Sequence, residues 1–367
     1  MQFEIDRETL LGPLQAVIGV VERRQTMPVL GHVLVVAREG EGLSLTASDL
    51  EVELQAVVEC EVLEGGQITL PARKAADIVR NLPNGARLRL QVDQQRVVLR
   101  SGKSRFSLAT LPAADFPGME EIGEPQTVGL TQAGLRWLLE KTHFSMAIQD
   151  VRYYLNGLLL EIEPEGIRAV ATDGHRLALA SLAAETGVQE PRQVIVPRKG
   201  VQEMLRLLEA SEEAVELALG GNHVRISLPR LRFTSKLIDG RFPEYGRVIP
   251  DGSGTRMDVD RETLRQALVR ASILSNEKYR GVRFVVERDR LRIQSHNPEQ
   301  EEAEEDVAVS FVGEGLEVGF NASYMLDVLA AISAATVHIY LTDGNSSALV
   351  QGEGEEGTRF VVMPMRL

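Results

Sequence analysis

An acid and an imidazole stand two residues apart at Asp173-Gly174-His175, a pairing that could pass a proton. Chemistry there would also need a nucleophile or a polarising group alongside, and the neighbouring sequence carries no nucleophile motif. The other histidines, His32, His143, His223, His296 and His338, lack the close spacing of metal ligands. Cys60 stands alone, which excludes an intrachain disulfide and a cysteine-based metal cage. Gly352-Glu353-Gly354-Glu355-Glu356-Gly357 has the letters of a dinucleotide-binding turn. Its three acids would repel phosphate, and a strand follows it instead of a helix, so it reads as an acidic hairpin. Gly102-Lys103-Ser104 ends like a phosphate-binding loop, but Val97 holds the position of the required upstream glycine. No catalytic residue, metal or cofactor is expected.

The elements that would position these residues recur three times. Arg105-Phe106, Arg232-Phe233 and Arg359-Phe360 each sit in a short apolar strand, 127 residues apart at both steps. Asp49, Asp173 and Asn297 each follow a strand and are 124 apart at both steps. Helical periodicity recurs too, with apolar residues at i, i+3 and i+4. The first helix of each third is expected over about 8–21, 132–144 and 261–272. A second buries Ala75, Ile78, Val79 and Leu82, then Val201, Met204, Leu205 and Leu208, then Met325, Val328, Leu329 and Ile332. Alternating strands and Gly- or Asn-bearing turns fill the intervals. Pro, Gly and acids cluster near 116–125 and 250–254, giving three α+β domains, 1–125, 126–253 and 254–367. A period of this size is a triplicated domain, not a solenoid. At the positions equivalent to Gly174-His175 the other copies carry Leu50-Glu51 and Pro298-Glu299. A binding-pocket wall therefore suits His175 better than proton transfer.

The net charge of −13 argues by itself against nucleic-acid binding, since phosphates attract basic surfaces. Aromatic content of 5% disfavours a single-strand binder that stacks bases. Basic residues nevertheless gather on the helices, among them Arg7, Arg23, Arg24, Arg73, Lys74, Arg80, Arg136, Lys141, Arg198, Lys199, Arg206, Arg261, Arg265 and Arg270. One basic helix face per domain would make a central hole positive while the acids lie outside. Head-to-tail domains build an arc, and an arc closes when its ends complement each other. One candidate end carries Lys74, Lys103, Arg105, Phe106 and Leu108. The other carries Ile273, Leu274 and the acids Glu299, Glu301, Glu302 and Glu305. No apolar run approaches the roughly 18 residues of a membrane span, and the first residues alternate like a strand, so the cytoplasm is the expected compartment.

Three strings carry a family resemblance: Ser145-Met146-Ala147-Ile148-Gln149-Asp150-Val151-Arg152-Tyr153-Tyr154-Leu155-Asn156-Gly157, Ala171-Thr172-Asp173-Gly174-His175-Arg176-Leu177-Ala178, and Val361-Val362-Met363-Pro364-Met365-Arg366-Leu367. With Asp115-Phe116-Pro117 and Arg241-Phe242-Pro243, they make the chain similar to the β sliding clamps of bacterial DNA polymerase III. The resemblance covers essentially the whole chain. It implies three tandem clamp domains, each with two helices on antiparallel sheets, in a non-catalytic homodimeric ring around duplex DNA.

The resemblance also implies a pocket for Leu/Phe-containing partner peptides. Its walls would be Leu155, Thr172, Gly174, His175, Arg176 and Leu177, then Pro243, Arg247 and Val248, then Val361, Val362, Met363, Pro364, Met365 and Arg366. Asn345 departs from the pattern, which has an apolar residue near the pocket. Contact with DNA is implied for Arg24, Arg73, Gln149, Tyr153, Tyr154 and Lys199. The dimer interface would set Phe106 and Leu108 against Ile273 and Leu274. Implied partners are the clamp loader, the polymerase III catalytic subunit, repair polymerases and mismatch-repair proteins. Two rival readings remain: an enzyme with an interdomain active site, and a structural ring without DNA.

Overall fold

The computed structural model describes residues 1–22, 27–123 and 125–366. Among the described residues six α-helices lie between the strands: α1 (Arg7–Ile18), α2 (Ala72–Asn81), α3 (Gln132–Glu140), α4 (Arg198–Leu207), α5 (Arg261–Ile273) and α6 (Ala322–Ala331). Each begins where a strand ends, as with Gln2–Asp6 before α1 and Leu316–Asn321 before α6. Side-chain caps fix two of these switches: Asp260 accepts the Thr263 N–H, and Asn321 accepts those of Ser323 and Tyr324. The apolar stripes are those the spacing predicts. Leu10, Leu14 and Val17 of α1 are buried, as are Leu264, Ala267, Leu268 and Ala271 of α5.

Two helices end earlier than their periodicity suggests. The first stops at Ile18, and Gly19 follows it. The third stops at Glu140 and gives way to a 3-10 turn at His143–Ser145. There the Thr142 hydroxyl donates to the Leu138 carbonyl at 2.6 Å, the back-bonding by which threonine competes with the helical ladder. In α2 and α4, Ile78 and Leu205 are only half-buried, and Leu207 takes a core place instead.

The chain packs as two compact units, Met1–Ala133 with Gln202–Leu237, and Gly134–Val201 with Ile238–Leu367. Two units from a threefold repeat mean that the middle copy is divided, and sheet pairing gives the reason. In the first unit the strand Leu231–Lys236 pairs antiparallel with Val52–Val58, putting Phe233 opposite Leu54 within an eight-stranded sheet. In the second unit Thr358–Val362 pairs with Arg176–Ala183, putting Phe360 opposite Ala178 within a nine-stranded sheet. These are one junction made twice: Leu54 and Ala178 are 124 residues apart, Phe233 and Phe360 are 127. Each unit also holds a smaller sheet, of five and of four strands respectively.

In the second unit, strand alternation sorts the core into two sides of one sheet. Ala178, Val350, Phe360 and Val362 join α5 and α6 in one cluster, while Leu177, Leu179, Leu349 and Val361 join Leu155, Leu159, Val170, Ile195 and Phe242 in another.

Candidate partner-peptide site

The second cluster lies where the sequence places a peptide pocket. Leu155 reaches it from a 3-10 turn, Tyr153–Leu155, within the strapped loop 147–156. Asn156 holds this loop from both sides, accepting the Asp150 N–H and donating to the Asp150 carbonyl, each at 2.9 Å. Phe242, Tyr245 and Ile249 bring the linking segment onto the same face. The Tyr245 hydroxyl donates to Glu161, and burial pushes this phenol up to about 12.

The turn at 172–177 is built by hydrogen bonds to Asp173. Its Oδ1 accepts the N–H groups of His175 and Arg176 at 2.9 and 3.0 Å, and its Oδ2 accepts Arg176 Nε at 3.1 Å. Asp49 performs the same task in the first copy, accepting the N–H groups of Glu51 and Val52. The carboxylate beside His175 is thus a turn-former committed to backbone and Arg176. Gly174 sits at φ +89°, a left-handed conformation that strains any side chain, and an added Cβ would lie 3.0 Å from the Arg152 guanidinium, which would have to shift.

The last residues dock against this turn. Met363 donates its N–H to the His175 carbonyl at 2.9 Å, and Met365 donates to Gly319 at 2.7 Å. The geometry therefore gathers Leu155, Leu177 and Val361 in one apolar floor, with Thr172, Gly174, His175, Met363, Pro364 and Met365 around the turn and tail. Pro243, Arg247, Val248 and Arg366 are exposed, and Arg247 pairs with Glu244 at 2.6 Å. Asn345 is exposed in the 342–347 loop, where Asp343 accepts its N–H.

Two expected wall residues face elsewhere. Val362 is fully buried in the helix-side core, one residue out of phase with Val361. Arg176 is likewise out of phase with Leu177, and its guanidinium lies over the rings of Phe144 and Tyr324. Period-two alternation makes adjacent strand residues point to opposite faces, so a continuous string of matched residues cannot all line one side. Arg152 and Tyr324 escaped the sequence reading: Arg152 packs on Gly174, and the Tyr324 ring stacks 6.4 Å from His175. A cavity of about 580 Å3 opens farther along the sheet, lined by Arg168, Leu179, Tyr245, Ile249 and Arg359 among others, and none of the expected pocket residues lines it.

Many of the basic residues expected to form a positive helix face are already engaged. Arg7 donates to the carbonyls of Val79 and Arg80 at the end of α2, and Arg261 to that of Leu329 near the end of α6. Lys141 is 6% exposed and pinned within the second unit. Arg136, Arg206, Arg265 and Arg270 pair with Glu140, Glu203, Glu262 and Glu305. A cation at a helix C-terminus satisfies carbonyls and the dipole there, a structural demand that composition alone does not reveal. Arg24 lies outside the described residues. Gln149 is exposed and Tyr153 is 57% exposed, whereas Tyr154 packs half-buried on the apolar floor and Lys199 is half-buried on α4. Arg73 donates to the Val21 carbonyl.

Comparison with known proteins decides the family. Models of the DNA polymerase III beta subunit match in tandem, the N-terminal domain over 1–120, the central domain over 129–244 and the C-terminal domain over 246–366. The chain belongs to the DNA polymerase III beta subunit family. It is 53% identical to the beta sliding clamp of Pseudomonas putida and 48% identical to that of Escherichia coli K12, with all of each chain covered. It also matches a crystal structure of the Pseudomonas aeruginosa clamp bound to griselimycin, at 52% identity, full coverage of both chains and a TM-score of 0.96. This beta subunit is accordingly a sliding clamp, a non-catalytic processivity factor of DNA replication, made of three tandem clamp domains. The interdomain enzyme is not supported.

One feature of the beta subunit stands apart from its internal junctions. The strand Ser104–Ala109, equivalent to the two strands that close those junctions, is an edge of the five-stranded sheet and pairs on one side only among the described residues. The strand Glu302–Ala308, equivalent to their acceptors, is an edge of the four-stranded sheet. The side chains of Lys103 and Arg105 make no ion pair or hydrogen bond among the described residues. Ile273 is 71% exposed, Leu274, Phe106 and Leu108 half-buried, and Lys74, Glu299 and Glu302 exposed. Glu301 is held by Asn297 and Glu305 by Arg270, so these two acids are less available to a second chain.

Proposed function

We propose that two copies of this chain close head to tail into a ring that encloses duplex DNA. The observation that carries this is the pair of unfilled edges. A junction made twice within the chain leaves one donor strand, Ser104–Ala109, and one acceptor strand, Glu302–Ala308, for a third and fourth repetition between copies. Internal register supports a specific alignment. Leu54 and Ala178, which face the repeated phenylalanines, pair in their own hairpins with Ala47 and Ala171. The equivalent hairpin pair in the third copy is Ser295 with Ala303. Phe106 of one copy then faces Ala303 of the other, and Arg105 faces Glu304, which within its own chain also meets Arg292 at 3.4 Å and accepts from Gln294 at 2.8 Å. Opposite charges directly across a strand pair favour this register. Ile273 and Leu274 would add the apolar part of the interface, with Phe106 and Leu108.

The repeat supports domain limits near 125 and 253. DNA would be held by enclosure, with weak sequence-independent phosphate contacts from Arg24, Arg73, Gln149, Tyr153, Tyr154 and Lys199. The apolar floor formed by Leu155, Leu177 and Val361, with adaptable Met363 and Met365 beside it, would take Leu/Phe-containing segments of partners. Those partners are the clamp loader, the polymerase III catalytic subunit, repair polymerases and mismatch-repair proteins. The work would be done in the cytoplasm. The test is retention of labelled protein on nicked circular DNA after loading, followed by linearisation. Enclosure predicts loss on cutting, whereas persistence on linear DNA with a strong salt dependence would mean electrostatic gripping and refute it.

A further inference from the structure

The guanidinium of Arg176 has little left to offer a ligand. Nε donates to Asp173 Oδ2 at 3.1 Å, Nη1 to Asp327 Oδ2 at 2.5 Å and Nη2 to the Phe144 carbonyl at 2.8 Å. Its carbon lies 4.5 Å from the centre of the Tyr324 ring and 5.5 Å from that of Phe144. Its side chain is 11% exposed. Three acceptors from three separate segments, 144, 173 and 327, thus converge on one planar fork, the geometry that guanidinium serves and ammonium does not.

We propose that Arg176 is a positioning residue that sets the shape of the peptide pocket through Asp327 of α6, and is not itself a peptide contact. This rests on the pocket reading given above. The mechanical path is short. Arg176 ties the Asp173 carboxylate, which holds the N–H groups of His175 and Arg176. The His175 carbonyl in turn holds Met363. One fork therefore fixes the 172–177 turn against α6, and the turn fixes the tail. Tyr324, which covers one side of the fork, also stacks on His175, so α6 supports the turn at two points. Asp327 is half-exposed at the far end of the chain of bonds and belongs to neither the apolar floor nor the tail.

The test measures affinity of the full-length clamp for a fluorescein-labelled peptide carrying a Leu-Phe pair, by fluorescence anisotropy. Asp327→Ala is expected to weaken binding on the order of tenfold, Arg176→Lys by a similar factor, and the double variant no more than the worse single one, since both break the same link. Asp327→Glu, which restores a carboxylate, is expected to recover most of the affinity. Wild-type affinity in Asp327→Ala together with a loss in Arg176→Lys would identify Arg176 as a direct contact and overturn the proposal, as would fully additive losses. Asp327→Asn keeps shape and helix, so an unchanged thermal midpoint in it separates positioning from general unfolding. Truncation after Val362 is the control. If truncation leaves affinity intact, the pocket reading fails; if truncation abolishes binding while Asp327→Ala does not weaken it, only the role of Arg176 fails.

Discussion

The ammonium of Lys141 lies 3.1 Å from Glu355 Oε2, two residues from opposite ends of the second unit's chain joined in its interior. The same ammonium donates to the Ala331 carbonyl at 2.5 Å and to the Ser333 hydroxyl at 3.2 Å. Glu355 Oε1 meanwhile accepts the N–H groups of Ser333 and Ala334. Together they close the C-terminal end of α6, where unpaired carbonyls favour a cation.

Lys141→Met is therefore expected to destabilise the protein by about 2 kcal/mol, less than the loss of a wholly buried pair, because Glu355 keeps its two backbone donors. Urea denaturation followed by circular dichroism measures it. Retention on closed circular DNA should stay at the wild-type level. A stability unchanged by the substitution, with weaker DNA retention, would return Lys141 to the DNA-facing set.

The strand register across the copies makes a sharper prediction. Arg105→Glu and Glu304→Arg are each expected to shift the dimer toward monomer, because like charges then meet across the pair. The double variant should regain dimer. Ile273→Ala with Leu274→Ala should give monomer without rescue by any charge change, since it removes apolar contact. Analytical ultracentrifugation reads all four. Failure of the charge swap to restore association would disprove this register while leaving other dimers possible.

Much of this was legible in the sequence because the repeat is a pattern of residue types that any copy must keep. The phenylalanine strands and the Asp49, Asp173 and Asn297 turns mark equivalent places by residue type and spacing alone. Three things were hidden. Helix ends depend on local hydrogen bonds, such as Thr142 to Leu138, that periodicity does not see. The facing of Arg176 and Val362 follows from strand phase, and a string match carries no phase. The engagement of Arg7, Lys141 and Arg261 depends on carbonyls distant in sequence, so a basic residue on a helix looks free until the fold supplies its partner.

Removal of Met363 to Leu367 leaves the strand Thr358–Val362, and with it the buried Phe360 and Val362, in place. The truncated chain is expected to keep its dimer and thermal midpoint within a few degrees, and to lose binding of the Leu-Phe peptide. Anisotropy titration against the full-length protein gives the comparison. Unreduced peptide affinity would remove the tail from the site.

Acid should weaken the fold before the carboxylates held down by hydrogen bonds and ion pairs titrate. Burial lowers the pKa of His143 in the 3-10 turn, with Arg198 adding repulsion, while Glu140 and Asp327 oppose the shift; burial likewise lowers His32 and His223. A folded-state value below the unfolded one means the unfolded chain takes up the proton first on acidification. The stability these neutral rings contribute is therefore complete above the unfolded value, near 6.5, and falls as pH drops through it toward the folded value. Asp150 acts lower: held down to about 2 by Arg152, it loses its contribution only below about pH 4. Thermal midpoints are thus expected to decline between pH 7 and pH 5, and His143→Gln, which cannot titrate, to flatten part of that decline. A variant whose midpoint falls as steeply as that of the wild type over this window would show that His143 does not carry the acid sensitivity.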